Sequence, residues 1–259
     1  MDSTRGICAG WTKLLRAFRA GESGRHRWPT VGKLARMCSH YQGIKEAEKY
    51  RKVFGAEPPP ELSKWDLWPG YVGSFIRRHT HADVGDEAVP SAEALTGLFG
   101  LVPHWSQDTK ITRSTYNARS ETAAEKPSFR EAWKRGQRCV IPAEAIFEPD
   151  WRSGKAVPAR IARADGEPMG IAGLWSTWKS PKGEFVFSYT MLTINADAHE
   201  LMKKFHKPTD EKRMVVILPE SRYSEWLETK VGGEGEFLVP YPAELLKAES
   251  SAVNASILT

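Results

Sequence analysis

The dipeptide Met37-Cys38 holds the most reactive potential in the chain. Removal of a methionine that precedes a small residue would leave Cys38 with a free α-amine beside its thiol. Such a 1,2-aminothiol carries two nucleophiles: the amine condenses with an aldehyde, and the thiolate then closes a five-membered thiazolidine on the same carbon. A free cysteine by itself is a weak signal, because it is usually a small buried hydrophobe. Three further clusters add to it. In Asn117-Ala118-Arg119-Ser120-Glu121-Thr122, residues two apart on an extended segment point the same way, so Asn117 could orient an amine while Arg119 grips a phosphate through a charge-assisted fork. A solvated polar loop is the plainer account of that segment. Glu148 stands between Phe147 and Pro149, where desolvation would favour its protonated form and suit it to moving protons, although an exposed loop glutamate fits as well. His206 follows Phe205, and a lone histidine is more often structural than catalytic.

These residues need elements to position them. Ile44 to Phe54 reads as a helix ended by Gly55 and the Pro58-Pro59-Pro60 run, which cannot continue one. Tyr71 to Arg77 and Leu98 to Val102 read as strands, separated by an acidic surface loop from Asp83 to Glu93. Ser128 to Arg135 is expected to be a helix closed by Gly136, followed by a strand from Arg138 to Pro142. Strands then dominate: Pro158 to Ala164, Met169 to Trp175, Phe185 to Ile194 and Met214 to Leu218, with turns at Asp165-Gly166 and Pro181-Lys182-Gly183. Short helices are expected at Ala198 to Phe205 and Ser221 to Thr229. With no internal repeat, the pattern predicts one α+β domain built on a curled, mostly antiparallel sheet or barrel-like core with short flanking helices.

At 259 residues and 41% hydrophobic content, the chain can bury a substantial core without staples. Cys8, Cys38 and Cys139 lack the close pairs of a zinc site or the density of a disulfide framework, so a reducing cytoplasm fits. No apolar run reaches the roughly 18 residues of a membrane span, and no secretory signal is evident. The formal charge of +5 is uneven, because residues 1–36 hold eight Lys or Arg against Asp2 and Glu22. The remainder is therefore close to neutral, and any nucleic-acid site there must be a local patch. Residues 1–36, with one apolar stretch from Trp11 to Phe18, are expected to be a basic extension that is untranslated or removed, leaving 37–259 as the functional domain.

The segments Met37-Cys38, Gly100-Leu101-Val102-Pro103-His104-Trp105, Asn117 to Thr122, Arg138-Cys139-Val140-Ile141-Pro142-Ala143, Phe147-Glu148, and His206 followed by Lys212-Arg213-Met214 resemble, in order and spacing, the SOS response-associated peptidase (SRAP) family. The resemblance implies that Cys38 forms a thiazolidine with the ring-opened sugar of an abasic site in single-stranded DNA. It implies that Asn117 positions the α-amine, that Glu148 relays protons, and that His206 assists opening of the sugar ring. Arg119 would hold a phosphate, Trp105 would stack on a neighbouring base, and Ser39, His40 and Thr193 would complete the DNA-binding set. Three departures from the family pattern stand out: Ser39-His40 stands where Gly-Arg is usual, and Phe99 and Pro149 each stand where Trp is usual.

The expected protein is thus a monomer, cytoplasmic and nucleoid-associated when bound, that crosslinks to abasic sites without a metal or organic cofactor. Two alternatives remain open: a cysteine autoprotease or peptidase acting through Cys38, and a noncovalent single-stranded nucleic-acid module with an idle cysteine.

Overall fold

The computed structural model describes residues 40–60, 62, 64–83 and 89–250. The expected basic extension, Cys8, the Met37-Cys38 dipeptide and Ser39 lie outside the described residues. The strands are β1 (His40–Gln42), β2 (Asp66–Leu67), β3 (Val72–Arg78), β4 (Ala92–Phe99), β5 (Asn117–Arg119), β6 (Arg138–Ala143), β7 (Ala145–Asp150), β8 (Val157–Arg163), β9 (Met169–Lys179), β10 (Phe185–Asn195), β11 (Arg213–Val215), β12 (Ile217–Leu218) and β13 (Leu246–Ser250). Among the described residues, four short α-helices flank them: α1 (Ala47–Phe54), α2 (Thr112–Thr115), α3 (Arg130–Lys134) and α4 (Tyr223–Glu228). The expected α+β architecture is the one found.

Five strands close into a barrel. β3 pairs with β4, β4 with β10, β10 with β9, β9 with β6, and β6 with β3 again. The pairings are antiparallel except for β10 with β4 and with β5, which are parallel. Closure pairs backbone groups that an open sheet would expose at its edges. The interior is filled by residues such as Phe75, Phe99, Ile141, Tyr189 and Met191, all nearly inaccessible to solvent. β6 is buried along its whole length, with α4 packed against it and the Trp226 indole N–H donating to the Cys139 carbonyl at 2.9 Å. Burial of the Cys139 thiol pushes its pKa well up, so it stays a protonated, inert core group.

A second, antiparallel sheet has the order β13, β8, β7, β1, β2. Its link to the barrel is direct, because β6 runs into β7 with only Glu144 between them, and the Glu144 N–H donates to Gln42 at 2.8 Å. β1 sends Tyr41 into the barrel, where its hydroxyl meets that of Tyr189 at 2.5 Å. Gly73 makes room for this pair, since a Cβ there would press on the Tyr41 hydroxyl at 2.8 Å.

Several expected elements differ in extent. The helix expected from Ile44 begins at Ala47, although Gly55 caps it in the left-handed conformation at φ 61° as anticipated. The acidic loop ends sooner than expected, because β4 begins at Ala92 and Glu93 forms an ion pair with Arg77 on β3 at 2.8 Å. Of the helix expected at Ala198 to Phe205, only a 3-10 turn at Met202–Lys204 forms. Here the His199 imidazole Nδ1 accepts the Leu201 and Met202 amides at 3.2 and 3.0 Å, which ties the turn to the side chain that precedes it.

Candidate functional site

Glu148 lies on β7 and is 2% exposed. Its Oε2 meets His206 Nε2 at 2.8 Å, and the histidine is itself only 6% exposed. The two residues, 58 apart in sequence, are brought together by backbone contacts. Phe205 bridges Asp150 at the end of β7, and the His206 N–H donates to the Pro149 carbonyl at 2.8 Å. Pro149 thus contributes its carbonyl to the anchoring of His206. Arg152 locks the same strand end by donating to Asp150 through its backbone and guanidinium at 2.6 to 3.1 Å.

His206 sits at φ 64°, in the left-handed region that non-glycine residues seldom adopt and that carries strain of about 1–3 kcal/mol. The strained backbone turns the imidazole inward toward Glu148. Burial pulls the His206 pKa down to about 4, and the nearby Lys212 charge adds to this against Asp210 and Asp197. The ring is therefore neutral at physiological pH. With Nε2–H donating to Glu148, Nδ1 keeps a lone pair, and it has no hydrogen-bond partner among the described residues. A neutral imidazole oriented by a carboxylate, with its second nitrogen available, is an arrangement suited to accepting and returning a proton.

The residues after His206 lead to a second group of charges. Lys212 closes the intervening loop, its Nζ donating to the Lys207 carbonyl at 2.6 Å and its N–H to Asp197 at 2.9 Å. Arg213, at the head of β11, is 2% exposed, and its guanidinium donates to Glu121 Oε1 and Oε2 at 2.9 and 2.8 Å, to Glu211 at 2.8 Å and to the Thr193 carbonyl at 2.8 Å. Arg119 pairs with the other oxygen of the same Glu211 carboxylate at 2.8 Å while keeping about half of its side chain in solvent. The parallel pairing of β5 with β10 sets this up, with Asn117 opposite Met191 and Arg119 opposite Thr193.

Thr193 is itself buried; its hydroxyl and carbonyl face Arg213. His40 is buried too, stacked between Trp68 and Phe147 at centroid distances of 4.4 and 4.2 Å and within 3.4 Å of Asp66. Trp105 is 45% exposed, and its indole N–H reaches the Pro127 carbonyl at 3.3 Å. The loop that carries it is launched at Gly100, whose φ of 109° and close approach to the Thr112 backbone exclude a side chain. Phe99 is wholly internal and lies in ring contact with Tyr41, Tyr116 and Tyr189.

The structure therefore joins Glu148 to His206 directly, and Arg119 to Thr193 through Glu211 and Arg213. Sequence reasoning gave no role to Arg213, Glu211, Glu121 or Trp68. The available signal was an arginine heading the apolar run Met214 to Leu218, since a charge at the start of a buried strand demands partners.

Known proteins resemble this chain in sequence and in fold. The abasic site processing protein YoqW of Bacillus subtilis is 36% identical over 163 residues, which cover 61% of this chain and 69% of that one. The abasic site processing protein HMCES of Gallus gallus is 30% identical over 216 residues, covering 71% and 62%. A crystal structure of a protein from Bordetella bronchiseptica superposes with a TM-score of 0.74 at 49% identity, covering 82% of this chain and 99% of that one. Residues 37–256 match the family described as SOS response associated peptidase (SRAP), and the chain belongs to it.

Proposed function

We propose that this protein binds single-stranded DNA as a monomer and attaches covalently to its abasic sites through Cys38, in a chain that begins at that residue once Met37 and the basic extension are absent. The Cys38 amine condenses with the ring-opened sugar aldehyde and releases water. The thiolate then adds to the imine carbon to close the thiazolidine. His206 and Glu148 move the protons these steps require, and Asn117 holds the amine. Arg119 engages a backbone phosphate, Trp105 stacks on a base, Ser39 adds to the DNA-binding set, and the buried His40 and Thr193 support it from beneath.

One observation carries the reading: the buried Glu148–His206 pair adjoins the start of β1. His40 lies opposite Phe147, the residue before Glu148. Cys38 precedes His40 by two residues in the sequence, which supports a role for the Glu148–His206 pair in the chemistry of the aminothiol. The relatives are named as abasic site processing proteins, which supports abasic sites as the target.

The test is denaturing electrophoresis after incubation of the chain beginning at Cys38 with a single-stranded oligonucleotide containing one abasic site. A heat-stable adduct is expected. Cys38→Ser, which keeps the amine but lacks the sulfur, should stop at a labile imine. Equal heat stability of the two adducts rules out the thiazolidine, and stable crosslinking by protein that retains Met37, whose amide nitrogen cannot form an imine, rules out the aminothiol.

A further inference from the structure

We infer that the Glu211 carboxylate occupies the phosphate position between Arg119 and Arg213, and that a DNA phosphate must displace it to bind. This inference rests on the DNA-binding reading above and adds a residue that limits affinity for lesion-free strands. One oxygen of Glu211 accepts from Arg119 and the other from Arg213, each at 2.8 Å. A carboxylate bridging two guanidiniums presents the same fork of anionic oxygens that a phosphodiester would present.

The two arginines are held differently. Arg213 is buried and has Glu121 and the Thr193 carbonyl as further acceptors, so it keeps satisfied hydrogen bonds when Glu211 leaves. Arg119 has an exposed half, and Glu211 is likewise about one-third exposed, so their pair can open into solvent at little cost. Asn195, whose amide donates to both Glu211 at 3.2 Å and Asp197 at 2.7 Å, offers the departing carboxylate a place on the 195–197 side of the loop.

The exchange has a functional logic. A protein that captures lesions covalently gains nothing from long residence on intact strands, and an internal anion competing for the phosphate grip shortens that residence. The affinity left over is the difference between guanidinium–phosphate and guanidinium–carboxylate pairing, and the covalent bond supplies retention only where an aldehyde is present.

The experiment is fluorescence anisotropy with a labelled, lesion-free oligothymidylate, using the chain beginning at Cys38. Glu211→Gln should bind about three- to tenfold more tightly than wild type at low salt. The gain should shrink clearly in the Arg119→Ala background, because the guanidinium released by the substitution is then absent. Asp210→Asn removes a neighbouring exposed charge that makes no guanidinium contact, and it should tighten binding much less than Glu211→Gln. Equal tightening by the two single variants, or an equal gain with and without Arg119, reduces Glu211 to a general negative charge and overturns the exchange. Weaker binding by Glu211→Gln makes it a strut for the arginines and also overturns it, leaving DNA binding intact. A wild-type protein that does not bind the oligonucleotide at all overturns the DNA-binding reading and the exchange with it.

Discussion

The Glu148–His206 pair and the Arg119–Glu211–Arg213 cluster are linked by the same short stretch of chain, residues 206–213, yet they differ in solvation. The first is sealed: both side chains are buried, the histidine is neutral, and its backbone is held in a strained conformation. The second is graded from inside to outside, with Arg213 buried, Glu211 partly exposed and Arg119 half in water. Groups that move protons benefit from low dielectric and fixed geometry. Groups that hold a diffusing polyanion must exchange partners, which requires solvent. The chain has built one environment of each kind a few residues apart.

The largest expected effect breaks the sealed side. Glu148→Ala should slow crosslink formation by about 10²–10⁴-fold, the usual range for loss of a positioned proton-transfer group, while affinity for lesion-free DNA moves far less. Single-turnover crosslinking beside anisotropy measures both. Comparable losses in rate and affinity would erase the distinction between the two regions.

On the graded side, Arg213→Ala should lower stability by about 2–3 kcal/mol, since it removes a buried guanidinium whose charge-assisted bonds tie β11 to Glu121, Glu211 and the Thr193 carbonyl. The urea midpoint should fall with an unchanged m-value. Arg119→Ala should leave stability within about 0.5 kcal/mol. Stability losses of equal size would mean that the gradient from inside to outside has no energetic counterpart.

A third expectation concerns acid. The folded pKa of His206 near 4 lies below the unfolded value of 6.5, so between these pH values the unfolded chain binds the additional proton and stability rises with pH. The contribution is complete above 6.5 and lost as pH falls toward 4. His206→Asn, which tolerates the left-handed backbone, should lose less stability than wild type between pH 7 and pH 4.5. The smallest effect sharpens the exposed side: Arg119→Ala should weaken binding to intact and abasic strands alike and lower the salt slope by about 0.7, one single-strand phosphate contact.

Much of the barrel was legible because β-rich runs alternate with turn residues. Gly166 and Gly183 occupy positive φ where turns were expected, and the long strands β9 and β10 followed the apolar pattern. The short strands β1, β2, β7 and β13 have no counterpart among the expected strands, and β5 was read only as an extended segment, since strands of two to six residues lack enough alternation to register. For the same reason an exposed loop remained as good a reading of Glu148 as a desolvated site, although its apolar neighbours did signal burial. His206 could be named but not partnered, because its meeting with Glu148 depends on a backbone bond to Pro149 that no local pattern encodes. The Arg213 cluster was illegible for another reason: its acceptors come from residues 121, 193 and 211, which share no spacing rule and meet only through the parallel pairing of β5 and β10.

The closed ring of β3, β4, β10, β9 and β6 also governs how the protein yields to force. A ring cannot be peeled from an edge; pulling on it must shear several ladders together, and such loading resists far more than unzipping one pair at a time. The second sheet ends in the open at β2 and β13 among the described residues, so mechanical failure should begin there. β1 lies in that weaker sheet, directly downstream of the cysteine through which a DNA strand would be attached. Traction along the strand would therefore load β1 against β2 and β7 first, and a machine clearing the protein from DNA would unravel the second sheet before it met the barrel.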